Sequence, residues 1–379
     1  MFLFTCSALI CSTGCEIGDD DHDDAAAPQD DADVPGDDAA IDAAGPSEDE
    51  DSGLGPSDED SGNEGDEDGG IEPPTPFSPE PRTPNQARID QLHVPEGFEL
   101  NVYARDLGHA RMLSTHGPHV YLTRPMQGDV LRLVDDDEDG VAESYVTVAS
   151  GLMGVHGITF QENTVYLAAP TSVYRATVSA DGAFGTPAEI VSDLPDGGQH
   201  PNRTLGIGPD SKLYISVGST CNACAETNPE HATLLRAELD GSARTTFAKG
   251  LRNTIGFGWH PVTAELWGMD HGSDWLGDDI PPEELNRLES GKDYGWPYCY
   301  GDHQIDPVVD DPPQTTKAAY CAMSTAPVLE VQAHNAPIGL AFYEGASFPE
   351  AYRNDAFIAL RGLESRRRER LQDRALGVQ

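Results

Sequence analysis

The chain has 379 residues, long enough for a large folded core, and its composition is strongly acidic. The formal net charge is −43, from 66 acidic and 23 basic residues. A surface of this sign repels a phosphate backbone, so the charge argues against a nucleic-acid partner. It favours solubility and cation binding, and it does not by itself indicate a fold.

The first 15 residues, MFLFTCSALICSTGC, form an apolar segment that ends in small residues. This pattern predicts an export signal, so we expect an exported protein, periplasmic or at the cell surface. The ending STGC is similar to a lipoprotein cleavage box, which would make Cys15 the lipidated residue and the lipid the protein's only link to a membrane. An ordinary secretory signal is the alternative.

Residues 16–85 form an acidic segment with 25 Asp or Glu and a single basic residue, Arg82. The segment is rich in Ala, Gly, Pro and Ser and has almost no aromatic residues. It cannot bury enough apolar surface to offset the entropy lost on ordering. The composition predicts a disordered, self-repelling linker, and calcium storage by its carboxylates is the alternative.

Residues 86–360 contain short apolar runs separated by Gly, Pro, Asn and Asp, without long helical periodicity. One pattern recurs, in which a Gly or Leu leads an apolar strand, and a turn and a second strand with Tyr or Trp follow. Its copies lie 45, 49, 50 and 83 residues apart and begin at Met112, Gly157, Gly206, Gly256 and Gly339. Repeats of this length predict an all-β propeller, and the long last interval predicts an insertion.

Residues 135–140 read DDDEDG, which places alternate carboxylates around a tight turn. Asp135, Asp137 and Asp139 match the first half of an EF-hand loop and are candidate calcium ligands. Val146 stands at the twelfth loop position, where a complete EF-hand has Glu. A solvated acidic hairpin is the alternative.

Four cysteines follow the leader, and in an exported chain they predict two disulfides with three possible pairings. We favour the local pairs Cys221–Cys224 and Cys299–Cys321. The CNAC segment at 221–224 is also half of a zinc motif, although no second CxxC is present to complete it.

Propeller geometry brings together polar residues that are far apart in the sequence. The inner strands all run in the same direction along the central channel, so the residues just before them meet at one mouth. Four blades supply His156, His200 with Arg203, Arg252 with Asn253, and His334 with Asn335. Together they predict a pocket with acid–base and cationic groups. The alternative is that they satisfy backbone groups around a water-filled channel.

Three segments resemble the glucose/sorbosone dehydrogenase family: LRNTIGF at 251–257, DHG at 270–272 and GKDYGWP at 291–297. The resemblance covers roughly residues 94–359 and is greatest to the L-sorbosone dehydrogenase-like branch. It implies a six-bladed propeller that oxidises a sugar or sugar aldehyde, with hydride transfer to calcium-bound pyrroloquinoline quinone and then electron transfer to an acceptor.

The same resemblance implies roles for individual residues. His200 corresponds to the family's catalytic base, with Arg252 as the second catalytic group. The carbonyls of Gly272 and Ser273 correspond to calcium ligands. The implied cofactor contacts are Arg203, Arg252, Asn253, Asp270 and His334.

Residues 361–379 contain six Arg and do not resemble a blade. Because the family continues with a further blade, we expect the last blade to be missing or incomplete, as after a shift of reading frame. A short amphipathic tail helix is the alternative.

Two other functions remain open at this stage. The first is a calcium-dependent propeller lactonase or other hydrolase, which would place carboxylates and amides at the channel centre. The second is a surface propeller without catalytic activity that binds a partner.

Overall fold

The computed structural model describes residues 8–9 and 86–361. The proposed lipidation site Cys15, the acidic segment 16–85 and the tail from 362 lie outside the described residues. None of the helices in the described part of the chain has the length and apolarity needed to cross a bilayer.

Four antiparallel sheets of four strands follow one another along the chain, each paired in sequence order. The two elements before them are β1 (Ala8–Leu9) and α1 (Gln86–Ile89). The first sheet contains β2 (Leu113–His116), β3 (His119–Arg124), β4 (Asp129–Val134) and β5 (Ser144–Ala149). The second contains β6 (Gly157–Gln161), β7 (Thr164–Ala168), β8 (Val173–Thr177) and β9 (Ala188–Val191). The third contains β10 (Leu205–Ile207), β11 (Leu213–Val217), β12 (Thr233–Ala237) and β13 (Thr245–Lys249).

The fourth sheet contains the predicted insertion. Its strands are β14 (Gly256–Trp259), β15 (Leu266–Asp270), β16 (Glu283–Leu288) and, after the insertion, β19 (Leu329–Val331). The insertion forms a hairpin, β17 (Cys299–Tyr300) with β18 (Gln304–Ile305), and a short helix, α2 (Lys317–Cys321). The structure contains both favoured disulfides, with Cα atoms 5.6 Å apart for Cys299–Cys321 and 6.1 Å apart for Cys221–Cys224.

A fifth sheet pairs β20 (Pro337–Phe342) with β21 (Ala356–Leu360), and β1 pairs with the other edge of β21. A single turn of 3₁₀-helix lies at Glu350–Tyr352. The sheets are therefore blades of an all-β propeller, as predicted. Met112 directly precedes β2, and the four predicted glycines lie in β6, β10, β14 and β20. The count of six blades stays a prediction.

The core consists of apolar layers between neighbouring blades. Tyr121 and Val130 of the first blade pack with Ile158 and Val165 of the second, and similar layers follow between the later blades. Because the inner blades are covered on both faces, their second strands are nearly continuous apolar runs. All five residues of β11 are buried.

The segment before the first blade contacts both ends of the row of blades. The ring of Phe98 lies 4.7 Å from Phe348 and 5.0 Å from Tyr352, next to the fifth sheet. Ala104 and Leu107 are buried against β3 and β4 of the first blade. This short segment therefore connects the first blade with the last described one.

Inner strands approach each other closely at Gly256. A Cβ added there would lie 2.5 Å from backbone atoms of Gly339 and Leu340. Gly256→Ala should therefore lower the free energy of unfolding by about 1–3 kcal/mol, as in other overpacked cores, measured by urea unfolding. Gly258→Ala in the same strand is the matched control, because its Cβ would meet Leu340 at 3.6 Å. An equal cost for both variants would contradict the prediction.

Candidate active site

Hydrogen bonds connect the segments that precede the inner strands with one another and with the ends of the second strands, β3 and β11. The Thr123 hydroxyl donates to His156 O at 3.0 Å, and His156 Nδ1 lies 3.1 Å from Arg203 O. Ser219 N donates to Arg252 O at 2.8 Å, and His200 Nδ1 lies 2.9 Å from Ser219 O. His200 and Arg252 therefore lie at the same mouth of the channel, as the strand directions predicted.

His200 has one ring nitrogen bound and one free. A carbonyl oxygen only accepts, so the contact with Ser219 O makes Nδ1 the protonated nitrogen. Nε2 then carries the lone pair, and no described residue donates a hydrogen bond to it. Burial, then the nearby Arg252 guanidinium, lowers the pKa of His200 to about 4. The ring is therefore a neutral proton acceptor over most of the pH range.

The segment with Arg252 and Asn253 is held by one buried carboxylate. Asp270 ends β15 and accepts hydrogen bonds from Arg252 N and Asn253 N, both at 2.8 Å, and from the Thr254 hydroxyl at 2.7 Å. Burial raises the pKa of Asp270 to about 6. Asp270 therefore positions the two expected cofactor contacts, because its own oxygens are occupied by these donors.

The Arg252 guanidinium is 96% shielded from solvent and is held by the loop after β11. Nε donates to Asn222 O at 2.9 Å, and Nη2 donates to Asn222 Oδ1 at 2.8 Å. The ion pair to the half-exposed Asp274 is longer, at 3.3 Å. Asn253 lies next to His200, because a Cβ added at Gly218 would touch both side chains.

Arg203 contacts the backbone around His200. Its side chain is fully buried, and its guanidinium donates to His200 O and Pro195 O, both at 2.8 Å. These contacts hold the backbone that carries His200. The cofactor contact that the family resemblance implies for Arg203 stays a prediction.

Two side chains at this mouth have nitrogens without hydrogen-bond partners among the described residues. His156 is fully buried and its Nε2 makes no hydrogen bond. Arg111 lies just before the first inner strand and forms neither an ion pair nor a side-chain hydrogen bond with a described residue. Burial, then repulsion from Arg361, lowers the pKa of Arg111 to about 10. The sequence analysis missed Arg111, although the rule that found His156 applies to the first blade as well.

The carbonyls of Gly272 and Ser273 lie beside Asp270, and neither accepts a hydrogen bond from another described residue. Glu283 anchors this segment, since its two carboxylate oxygens accept from Gly272 N at 2.8 Å and from Ala336 N at 3.0 Å. Burial raises the pKa of Glu283 to about 7. This carboxyl, which the sequence analysis also missed, connects the fourth and fifth blades at the channel mouth.

His271 and His334 complete the rim. Burial lowers the pKa of His271 to about 3, and its Nε2 donates to Pro337 O at 2.5 Å. His334 Nε2 donates to Gly277 O at 2.8 Å, and its Nδ1 lies 3.8 Å from Asp274 Oδ1. Because Asp274 also pairs with Arg252, His334 lies close to Arg252.

The acidic turn lies apart from this rim, between β4 and β5. One carboxylate oxygen from each of Asp135, Asp137, Asp139 and Glu143 lies within 4.8 Å of the others. Several of these oxygens accept hydrogen bonds from the turn's own backbone, such as Gly140 N to Asp135 Oδ2 at 3.1 Å. A calcium ion here stays a prediction. The zinc alternative at Cys221 does not fit, because its thiol is bonded to Cys224.

A small pocket lies between the end of β15 and the insertion. Asp270, Glu284 and Trp296 are among its lining residues, and Trp296 Nε1 is buried without a hydrogen-bond partner in the described part of the chain. Glu284 Oε1 accepts from Gly301 N at 2.6 Å, which joins β16 to the insertion. Burial, then the nearby Asp270, raises the pKa of Glu284 to about 8. Its carboxyl is therefore largely protonated at neutral pH.

The fold and rim define a class: a β-propeller with a neutral histidine and buried arginines at one channel mouth. The model of the TrAA12-like family matches residues 92–370, and the chain belongs to that family. An uncharacterized protein of Borreliella burgdorferi is 30% identical over 230 residues, 57% of this chain and 59% of the relative. One of Synechocystis is 27% identical over 208 residues, 48% of each chain. The chain thus spans about half the length of these curated relatives.

Solved structures share the fold. The calcium structure of the Trichoderma reesei carbohydrate-active enzyme of family AA12 has a TM-score of 0.57 at 21% identity, over 65% of this chain and 74% of that one. The holo form of the PQQ domain of pyranose dehydrogenase from Coprinopsis cinerea has a TM-score of 0.55 at 16% identity, over 66% and 71%.

Glu284→Gln should remove part of the pH dependence of stability. The pKa of Glu284 is higher in the folded chain, about 8, than its usual 4.5, so the folded state binds more protons between these values. The contribution of Glu284 to the free energy of unfolding is fully present at low pH. It falls by about 1.4 kcal/mol per pH unit as the pH rises toward 8. Urea unfolding from about pH 5.5 to pH 7.5 should show a shallower fall in Glu284→Gln.

The control for this experiment is Glu189→Gln, which removes an exposed carboxyl on β9. It should retain the wild-type slope. If Glu284→Gln retains that slope too, the assignment of a buried, protonated carboxyl is wrong.

Proposed function

We propose that the protein is an oxidoreductase that oxidises a sugar or sugar aldehyde with calcium-bound pyrroloquinoline quinone, as in the L-sorbosone dehydrogenase-like branch. The observation that carries this proposal is the pairing of a neutral His200, whose Nε2 is free, with the buried cation Arg252. The likeness in fold to the holo form of the PQQ domain of pyranose dehydrogenase supports the class of cofactor.

The residues present fit an anionic quinone. This cofactor is a planar polycarboxylate, and Arg111 is a half-buried guanidinium without a carboxylate partner among the described residues. The pKa of Arg111 is lowered by burial and by Arg361, so an anion at this mouth would offset an existing electrostatic cost. Arg111, Arg252 and Asn253 are the groups that would hold the quinone, and His334 lies nearby.

The unused carbonyls of Gly272 and Ser273 would hold the calcium ion, since calcium prefers oxygen ligands of this kind. When bound, the quinone supplies the two-electron acceptor and calcium polarises it. The protein's part is acid–base chemistry: His200 Nε2 accepts the proton of the substrate hydroxyl, while Ser219 holds Nδ1 and fixes the tautomer.

Two alternatives are less well supported. A lactonase of this fold would need carboxylates grouped around a central metal. In the described part of the chain, groups of acidic, His or Cys side chains close enough to hold a metal occur in the acidic turn Asp135–Glu143 and at Cys221–Glu226, where both thiols are bonded to each other. A binding propeller without activity would not need a neutral His200 whose Nε2 is left unpaired near Arg252. We further propose export, with a lipid anchor at Cys15 and an unidentified electron acceptor.

His200→Ala should abolish dye reduction and leave quinone binding largely intact, because the imidazole acts on substrate and Arg252 still binds the cofactor. The protein is loaded with the quinone and calcium, and dye reduction is followed with a panel of sugars. His260→Ala, at the opposite end of β14, is the control and should behave as wild type. Full turnover by His200→Ala would overturn the assignment of the base.

The acid limb of the activity profile should lie below about pH 5. Because burial and Arg252 lower the pKa of His200 to about 4, its base form persists as the pH falls and is lost only near that value. The measurement is kcat/KM against pH, with quinone affinity determined at each pH. An acid limb centred near the ordinary histidine pKa of about 6.5 would contradict a buried base.

A further inference from the structure

The segment from Ser219 to Asn222 contacts both sides of the proposed site. It follows β11, and its Ser219 carbonyl holds the ring of His200. Ser219 also donates from N to Arg252 O at 2.8 Å and from its hydroxyl to Cys221 O at 2.7 Å. One short stretch of chain therefore touches the proposed base and the proposed cofactor contact.

Nearly all polar atoms of Asn222 form hydrogen bonds with two residues, Arg252 and Asp274. Its backbone O and its Oδ1 accept from Arg252 Nε and Nη2, at 2.9 and 2.8 Å. Oδ1 also accepts from Asp274 N at 2.7 Å, and Nδ2 donates to Asp274 O at 2.9 Å. The side chain is 5% exposed, so these bonds form away from solvent. A planar guanidinium held at two nitrogens has one orientation.

The Cys221–Cys224 disulfide closes a short loop around Asn222. Closing a loop restricts the backbone conformations open to the residues inside it. The carbonyl of Asn222 that faces Arg252 Nε belongs to this loop. The other interaction of the guanidinium, with Asp274, depends on Asn222 too, because Asn222 holds the Asp274 backbone on both sides.

We propose that Asn222, kept in place by the Cys221–Cys224 bridge, is the positioning residue that orients the Arg252 guanidinium toward the cofactor. The assignment rests on the proposed function for the identity of that cofactor. It extends that function to a residue and a disulfide that do not themselves contact substrate.

The test measures quinone affinity in the full chain, by fluorescence titration in the presence of calcium. Asn222→Ala should weaken the affinity at least about tenfold, since Arg252 would lose its Nη2 partner and the fixed Asp274. Asn222→Asp keeps both oxygens that face Arg252 and should recover most of the affinity. The double variant Cys221→Ser/Cys224→Ser should weaken binding with Asn222 still present.

Two matched controls distinguish the loss of Arg252 orientation from a general loss of protein stability. Asn286→Ala removes another fully buried asparagine, on β16, and Cys299→Ser/Cys321→Ser removes the other bridge. Both should lower the melting temperature and leave quinone affinity within about twofold of wild type. The proposal is overturned if Asn222→Ala binds the quinone as wild type does, or if the controls lose affinity to the same extent.

A second readout does not need the cofactor. Hydrogen bonds at both Nε and Nη2 block rotation about the Nε–Cζ bond of Arg252, so its guanidinium nitrogens should give separate NMR signals in the wild type. These signals should merge in Asn222→Ala. If wild type binds no quinone, the proposed function fails, and the NMR comparison still decides the role of Asn222: unchanged signals in Asn222→Ala would refute it.

Discussion

The candidate site depends on the buried carboxylate of Asp270. A carboxylate away from water is costly unless donors surround it, and Asp270 has three, two backbone N–H groups and a hydroxyl. All three come from 252–254, on the segment that enters the next inner strand. Asp270 also ends its own strand, two residues before Gly272 and three before Ser273, whose carbonyls are the proposed calcium ligands. One side chain therefore relates the two segments on which the proposed cofactor site is built.

The charge of the chain and the charge of the channel mouth differ in sign. The whole chain carries −43, yet the mouth gathers the cations Arg111 and Arg252 with histidines that burial keeps neutral. Of the nearby carboxylates, Asp270 and Glu283 accept from backbone N–H groups, and Asp274, which pairs with Arg252 at 3.3 Å, is half-exposed. Such a mouth is suited to an anionic ligand, because an anion would supply the charge that the local side chains do not.

The position of a residue along the chain predicted its place at the rim better than its role there. Arg203 and Arg252 both precede an inner strand, and both were expected to contact a cofactor. In the structure, Arg203 donates a hydrogen bond to the backbone carbonyl of His200, whereas Arg252 donates to the side chain of Asn222. Asn222 and Glu283 carry no motif of their own, so no local pattern indicated them. Arg111 could have been predicted from the sequence, since the rule that residues before an inner strand meet at one channel mouth also applies to the first blade.

The sequence by itself determined the all-β repeat, the starts of the inner strands, the local cysteine pairs and the mouth at which the polar residues gather. These depend on spacing within one blade and on the common direction of the inner strands, both of which are local properties of the chain. Only the tertiary structure decided which polar groups remain available for chemistry. Many of their hydrogen-bond partners are distant along the chain, 17 residues for Asp270 with Asn253 and 53 residues for Glu283 with Ala336, and long-range packing sets those pairs.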